Sequence, residues 1–536
     1  MTQTALLSVY DKTGIEDFAK GLVELDFTLY ASGGTAQKLQ DAGITVKDAA
    51  ELAGGGAILG HRVVTLSREI YAGLLAENTP EDTAELEKLN IPRIDLVCCD
   101  MYPLREAIAE TNATDESVIE KTDIGGPTML RAAAKGRRIV LSRADQRGPV
   151  LDWLKAGKPD EAAFLRKLAA DAETEVASYI LDSAKWLQGN DLFALTGYPA
   201  VHQPKYGENP WQKTAHLYGV TDNDDPLALH RLELPQGAAP SYTNYTDIDR
   251  MLQSVTHVAA VFERNTGTVP CIAIGVKHGN ACGAAYGDTP AEAIKGMLEG
   301  DERAIFGGAI MVNFKLDEEG ANLIMFHHIE HGKRLIDVVV ASEVTPGALK
   351  VLERKGDRLK VFTNPALANL SEQTLDTSRR FRTVRGGIMT QDNYGFVIDQ
   401  TQAELELNGK PFVGKLHPDQ LLAWGIGMTS NSNTITLARN GKMIGNGVGQ
   451  QDRVSAAKLA VERARSANHD TTGAVAFGDS FFPFPDGPGV LADAGIKSIL
   501  TTRGSVKDGE VLQAMLDAGV DFYTLPDELG RGFFGH

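Results

Sequence analysis

The sequence predicts an α/β protein with a parallel sheet in its first part and further α/β domains after it, on three observations. Short apolar runs alternate with amphipathic helical runs in the first part, the βαβ pattern of a parallel sheet covered by helices. Apolar strands with helices between them recur as far as residues 474–478. The chain has 536 residues, too many for one hydrophobic core, so two to four domains are expected.

The elements follow in order. ALLSVYD reads as a strand, TGIEDFAKGLVEL as a helix, FTLYA as a second strand, SGGT as a turn and AQKLQDAG as a helix ending in glycine. IDLVCCDMY and RRIVLS are further buried strands. A long helical pattern over 160–189 closes this first domain, expected at 1–192. HQPKYGENPWQ, polar and broken by proline and glycine, marks the boundary. The strands VPCIAIGV, AIMVNF, LIDVVVAS, TITLAR and AVAFG follow, and a second boundary near 365–380 gives domains at 193–370 and 371–536. No repeat at solenoid spacing is visible.

The net charge of -18 argues against a nucleic-acid binder held by phosphate contacts. A small anion can still be held by local basic groups and helix N-termini. The start, MTQTALLSVYDKTG, reads as no signal peptide, and no stretch approaches the roughly 20 apolar residues of a membrane span. Cys98, Cys99, Cys271 and Cys282 form no CxxC and suggest no disulfide framework, so a reducing cytoplasm is expected.

Four stretches carry candidate chemistry. SGGT (Ser32, Gly33, Gly34, Thr35) follows a strand and opens a helix, which suits either an anion site or a capped turn. In DIGGPTMLRAAAKGRR, Pro127 suits a first helical turn, and Arg131 and Lys135 share one face that Asp123 can meet in space. A capped helix with a solvated basic face is the plainer reading. HHIEH, residues 327–331, mimics the His-x-Glu of zinc deaminases but lacks the later Pro-Cys-x-x-Cys, so a polar helix end is favoured over a metal site. VKHGNACGAAYG places Lys277 and His278 after an apolar strand and before a glycine turn. His278 there can act as a base near neutral pH and Lys277 can stabilise an oxyanion, or both can simply sit at an exposed strand end. Cys282 reads as a buried thiol rather than a nucleophile.

Taken together and in order, these motifs resemble one family, the bifunctional AICAR transformylase/IMP cyclohydrolases of purine biosynthesis. SVYDKTG, ASGGTA, DMYPL and DIGGPTMLRAAAK are similar to the cyclohydrolase half; KYGENPWQ, KHGNACG, IFGGAI, RGGIMTQD, TSNSNTITLARNGKMIGNGVGQQDR and GDSFFPFPDG are similar to the transformylase half. The resemblance implies a doubly wound methylglyoxal-synthase-like domain followed by two cytidine-deaminase-like α/β/α subdomains without catalytic zinc. It implies a homodimer with transformylase sites at the subunit interface. It implies formyl transfer from 10-formyltetrahydrofolate, a co-substrate, to AICAR, then closure of formyl-AICAR to IMP. No tightly held organic cofactor is implied, and room is left for a monovalent cation.

The resemblance also carries roles onto matching residues. His278 is the base, Lys277 the stabiliser and Asn433 an orienting group for formyl transfer. Asp479, Arg453, Lys205, Tyr206 and Gly307 fall at substrate-binding positions. Lys135, Asp123 and Tyr102 match positions around the formyl and carboxamide groups in the cyclohydrolase half; Lys12, the SGGT turn, Arg62 and Thr65 match its nucleotide pocket.

The chain departs from the family mostly in that pocket. Val64 stands for a lysine, Ser67 for a histidine, Arg68 for a proline, Tyr10 for a serine and Asp100 for an asparagine. Arg68 is a candidate to restore the lost charge. Elsewhere Lys205 replaces an arginine and Ala281 a proline. Two other readings therefore stand beside the bifunctional one. One is a transformylase whose first domain only binds nucleotide or serves as a scaffold; the other is a non-catalytic nucleotide-binding regulator.

Overall fold

The computed structural model describes residues 3–53, 55–56, 58–59, 63–188, 200–219 and 224–535. The chain divides into two compact units, Met1–Gly197 and Tyr198–His536.

The smaller unit is built on a five-stranded parallel sheet in the order Lys47–Asp48, Phe27–Ala31, Gln3–Ser8, Leu96–Cys99, Ile139–Leu141. Its central strand carries Ala5, Leu6 and Leu7 in succession, all fully buried. An uninterrupted apolar run is what a strand covered on both faces requires. Helix Ile15–Glu24 buries Ile15, Phe18, Ala19 and Leu22, the i, i+3, i+4, i+7 stripe read from the sequence. Helix Gly125–Lys135 and the long helix Glu161–Gln188 cover the sheet, the latter through Leu168, Ala172 and Val176.

The larger unit holds a 13-stranded mixed sheet made of two halves with the same connectivity. In the first half, helix Tyr242–Thr266 leads into the hairpin Cys271–Lys277/Asn280–Gly287, helix Pro290–Gly300 and strands Gly308–Val312, Ile336–Ala341 and Lys360–Thr363. In the second, helix Pro418–Gly427 leads into the hairpin Ile435–Arg439/Lys442–Gly447, helix Arg453–Ser466 and strands Val475–Gly478, Ser498–Arg503 and Asp521–Pro526. The halves join where Ala285 pairs with Lys442.

Alternation sets the layers. Ile272, Ile274 and Val276 pack with the helices Tyr242–Thr266 and Pro418–Gly427, while Ala273 faces the other side with Ile294, Met297 and Ile324. Each half is thus an α/β/α sandwich. The hairpin Arg380–Val384/Gly387–Gln391 is separate from the main sheet and exposed along nearly its whole length.

Both central hairpins accept a helix at close range through glycine. A Cβ on Gly283 would lie 2.1 Å from Met297 O, one on Gly445 2.3 Å from Ala460 O, and one on Gly447 2.2 Å from Ala456 O. No side chain fits at those distances, so the helix must lift. Gly447→Ala is expected to destabilise the larger unit by about 1–3 kcal/mol, the usual range for overpacking. Calorimetric melting checks this, and an unchanged midpoint would show the helix to be freer than drawn.

Candidate functional site

Two constellations gather the predicted residues, one in each unit, and both sit at strand ends or turns as expected of α/β proteins.

In the smaller unit the strand Leu96–Cys99 runs out at Asp100 and Tyr102, beside the turn that opens helix Gly125–Lys135. Asp123 precedes that helix and its Oδ1 accepts from Gly126 N at 3.0 Å. The peptide N–H of Asp123 donates to Tyr179 Oη at 2.6 Å, which anchors it on the long helix. A Cβ on Gly125 would touch Thr65 Oγ1 at 3.2 Å and Asp123 Oδ1 at 3.9 Å, so Thr65 and Asp123 flank one turn. Burial raises the Asp123 carboxyl above its ordinary value; donation from the amides of Gly126, Gly125 and Tyr102 offsets part of this. Tyr102 is raised by burial and by the charge of Asp123. Its ring meets that of Tyr10 edge-on at 6.0 Å, and both are about half exposed, leaving an open aromatic wall.

The SGGT turn lies across from it. Ser32 begins the helix Gly33–Asp41, and its Oγ is 2.7 Å from that of Ser8. Thr35 is buried and its Oγ1 both accepts from Val9 N at 3.1 Å and donates to Val9 O at 3.2 Å. Lys12 stands over this turn, its Nζ 3.8 Å from where a Cβ on Gly34 would be. A helix N-terminus with an ammonium above it is an anion site.

In the larger unit the question raised by VKHGNACG has a conformational answer. Lys277 pairs with Asn280 across a two-residue loop, and both loop residues have positive φ, His278 +52° and Gly279 +72°. This is the twist-matched hairpin turn, which ordinarily prefers Asn-Gly. His278 therefore occupies a left-handed position that asparagine would fill more comfortably, and it projects exposed from the tip.

The turn is pinned from below. Gly279 N donates to Asp247 Oδ1 at 2.9 Å and Gly279 O accepts from Arg250 Nε at 2.8 Å. Burial raises the Asp247 carboxyl, against the opposing effects of Gly279 N–H and the nearby His278. Lys277 Nζ donates to Phe306 O at 2.5 Å, and Gly307 follows with φ +71°. The 431–433 loop closes the other side. Arg250 Nη2 donates to Asn431 Oδ1 at 2.8 Å, and Asn431 N to Asn280 Oδ1 at 3.3 Å. Asn433 Nδ2 donates to Gln450 O at 2.9 Å. Ser432 Oγ donates to Asp479 Oδ2 at 2.5 Å, and Asp479 is fully buried against Arg453 Nη1 at 2.6 Å. A cleft lined by Lys277, His278, Asn280, Asn446 and Arg463 opens beside the turn.

Some predicted residues lie elsewhere. Lys135 is exposed at the far end of an 11-residue helix whose start adjoins Asp123, a separation of about 15 Å along the axis. The shared face proposed from spacing runs along that helix, and Arg131 turns to Glu173 at 3.2 Å. Arg68 is 73% exposed and pairs with Glu69 at 3.9 Å; Ser67 caps the same helix through Ile70 N at 3.2 Å. Lys205 is exposed and feels the charge of Lys360, on a strand three places from Lys277 in the sheet, or roughly 14 Å away. Tyr206 adjoins it. Arg62 lies outside the described residues.

Glu299, His327 and His328 form the metal-type cluster among the described residues. The two imidazoles stack at 3.9 Å with 22° between planes. A metal must lie in the plane of each ring it binds, so stacked rings cannot share one without turning. Glu299 is also held by Lys442 Nζ at 2.5 Å. HHIEH is here a hydrogen-bonded helix end. Burial raises Cys98 to about 11 and Cys282 to about 12, as inert thiols require.

Asp247, Arg250 and Gln450 were not singled out from sequence. Asp247 and Arg250 share a helix face three residues apart, but nothing local ties that helix to a turn some thirty residues on.

Comparison with known proteins identifies the family. Residues 14–128 match an MGS-like domain and residues 133–463 match the family described as AICARFT/IMPCHase bienzyme. Two relatives from Prochlorococcus marinus, strains NATL1A and NATL2A, both named bifunctional purine biosynthesis protein PurH, are 34% identical over 530 residues, covering 97% of this chain and 98% of theirs. A solved structure, the crystal structure of ForH, is 36% identical, covers 36% of this chain and 100% of its own, and superposes with a TM-score of 0.33. With an MGS-like match on the parallel-sheet unit and relatives aligned almost end to end, this chain belongs to the AICARFT/IMPCHase bienzyme family.

Proposed function

We propose that the larger unit transfers a formyl group from 10-formyltetrahydrofolate to the 5-amino group of AICAR, and that the smaller unit closes formyl-AICAR to IMP with loss of water. The observation that carries this reading is the His278 turn. It presents a base beside an ammonium, pinned by Asp247 and Arg250 against the loop that bears Asn433.

The AICAR amine is a weak nucleophile because its lone pair is delocalised toward the carboxamide. As its nitrogen bonds to the formyl carbon, His278 accepts the amine proton and Lys277 faces the developing oxyanion. Collapse breaks the bond to folate N10, which leaves with a proton as tetrahydrofolate. Asn433, fixed by Gln450, orients the reacting groups. Arg453 and Asp479 act by holding Ser432 and with it the 431–433 loop.

For closure, the carboxamide nitrogen attacks the formyl carbon and water departs. Asp123, its proton held more tightly than usual, is suited to trade that proton, with Tyr102 beside it. Lys12 and the SGGT turn take the phosphate, and Thr65 lines the turn. Holding the two reacting groups together supplies much of the rate. Lys135 enters this scheme only through the resemblance.

The protein is further read as a cytoplasmic homodimer with folate as co-substrate. The exposed hairpin Arg380–Val384/Gly387–Gln391, with Phe381 51% and Met389 65% exposed, supports a second copy as its cover. Val64 in place of a lysine favours one competing reading, a transformylase whose first unit only binds nucleotide.

Three outcomes test these assignments. Purified protein given formyl-AICAR without folate is expected to form IMP, and Asp123→Asn to slow this about 10²-fold or more. Closure no faster than in buffer, with formyl transfer intact, leaves only the competing reading. His278→Ala is expected to lower kcat for formyl transfer by roughly 10²–10⁴ while closure of supplied formyl-AICAR is unchanged. Transfer at the normal rate would remove His278 as the base.

The third outcome concerns pH. The raised Asp123 carboxyl binds its proton more tightly folded than unfolded. Its stabilising contribution is full below the unfolded value of about 3.9 and is lost as pH rises through the folded value. Asp123→Asn should therefore melt no lower than the parent at pH 7 and gain nothing at pH 3. A lower midpoint at pH 7 would contradict this.

A further inference from the structure

Asp100 and Arg147 form a buried charge pair that neither reaction above employs. Their side chains are 15% and 5% exposed, and Arg147 Nη2 lies 3.5 Å from Asp100 Oδ2. Their remaining contacts converge on residues 10–13. Asp100 accepts from Tyr10 N, and from Asp11 N at 3.2 Å. Arg147 donates to Thr13 O, and to Asp11 O at 2.7 Å. A carboxylate and a guanidinium thus grip successive donors and acceptors of one short turn.

That turn carries Lys12. The lysine folds back over it, its Nζ donating to Val9 O at 3.3 Å and Tyr10 O at 3.4 Å, and so comes to stand above Gly34. It also carries Tyr10, whose ring sets the Tyr102 wall. A buried ion pair is weak evidence for stability, because desolvation offsets much of its attraction. A pair that grips a ligand-bearing turn through four further hydrogen bonds has a clearer use.

We infer that Asp100 and Arg147 are positioning residues for ring closure, holding the 10–13 turn so that Lys12 meets the 5′-phosphate of the nucleotide over the SGGT turn. This rests on the reading that the smaller unit binds formyl-AICAR. The resemblance puts an asparagine at the position of Asp100; an asparagine can accept from an amide but cannot neutralise Arg147.

The test compares formyl-AICAR with its 5′-hydroxyl nucleoside, using the full-length chain. Asp100→Asn is expected to raise KM for formyl-AICAR roughly tenfold, the scale of one charge-assisted contact, with kcat within about twofold. The nucleoside, lacking phosphate, should be closed with unchanged kcat/KM. Lys12→Ala should give the same selective loss, and adding Asp100→Asn to it should cost nothing further. Formyl transfer, which uses the other unit, should be unaffected in all variants and reports correct folding.

An equal loss on both substrates, or losses that add to those of Lys12→Ala, would overturn the proposal. If the parent protein closes no ring, the functional reading fails. The proposal is then decided by calorimetric titration of IMP against inosine. Loss of the preference for IMP in Asp100→Asn supports it, and an unchanged preference refutes it.

Discussion

The guanidinium of Arg250 donates to Gly279 O at 2.8 Å, Thr429 O at 2.9 Å and Asn431 Oδ1 at 2.8 Å, and lies 3.9 Å from the centre of the Phe534 ring. It thereby joins a helix of the first half-sandwich, the reactive turn, the asparagine loop of the second half and the C-terminal tail. Its planar fork is what permits this; an ammonium could not satisfy acceptors in three directions while stacking on a ring. The site is costly to assemble, since burial lowers the Arg250 pKa to about 10. Three acceptors and an aromatic face are the compensation. With Asp247 on Gly279 N and Phe306 O on Lys277, it holds the turn against the asparagine loop.

The duplicated architecture sets that turn beside an equivalent one. Both half-sandwiches present a two-residue hairpin with positive φ at both positions: His278 and Gly279 in one, Asn440 and Gly441 in the other. Both are pinned from a helix by a carboxylate, Asp247 bonding Gly279 N and Asp419 bonding Asn440 N and Gly441 N at 2.9 and 2.8 Å. Asn-Gly is the residue pair that such a turn prefers. The first copy gives up that preference to place an imidazole at the tip, and loses one amide-to-carboxylate bond. Departure from local preference at one of two equivalent turns is where chemistry is expected.

Much of this could be read along the chain. Leu6 and Leu7 in an unbroken apolar run, the stripe from Ile15 to Leu22, and Gly43 at a positive φ just past a helix are found as read, although that helix, Gly33–Asp41, begins within the SGGT turn rather than after it. Lys277, His278 and Asp123, proposed above for the chemistry, stand out along the chain because their residue types sit next to turn signals. For Lys135, a four-residue spacing fixes a helix face but not which end of the helix meets Asp123, and the structure puts the two at opposite ends of helix Gly125–Lys135. Asp247, Arg250 and Gln450 were invisible because they act through backbone atoms of distant segments, and no residue pattern records a contact between Arg250 and a carbonyl at Thr429. The duplication was visible only through the family resemblance, since close helix packing on Gly283 and Gly447 constrains volume rather than sequence identity.

The carboxylates divide in a way that sequence cannot show. Asp479 is fully buried but answered by Arg453 and Ser432; at Asp527 burial is outweighed by Arg531, Thr502 and Ser480, and its pKa is lowered. Those charges are settled and belong to the scaffold. Asp100, Asp123, Asp247 and Asp249 are instead raised, in each case chiefly by burial. All four border the two constellations: Asp123 and Asp100 in the smaller unit, Asp247 beneath His278, Asp249 next to Arg250. A fold can neutralise a buried carboxylate with a nearby cation, as it does at Asp479. Where it leaves one held mainly by amide N–H groups, burial raises the carboxyl above its ordinary value, at a cost in stability once the group is ionised. That difference, seen at Asp123 and Asp247, separates the raised carboxyls beside the two constellations from the cation-paired carboxylates of the scaffold.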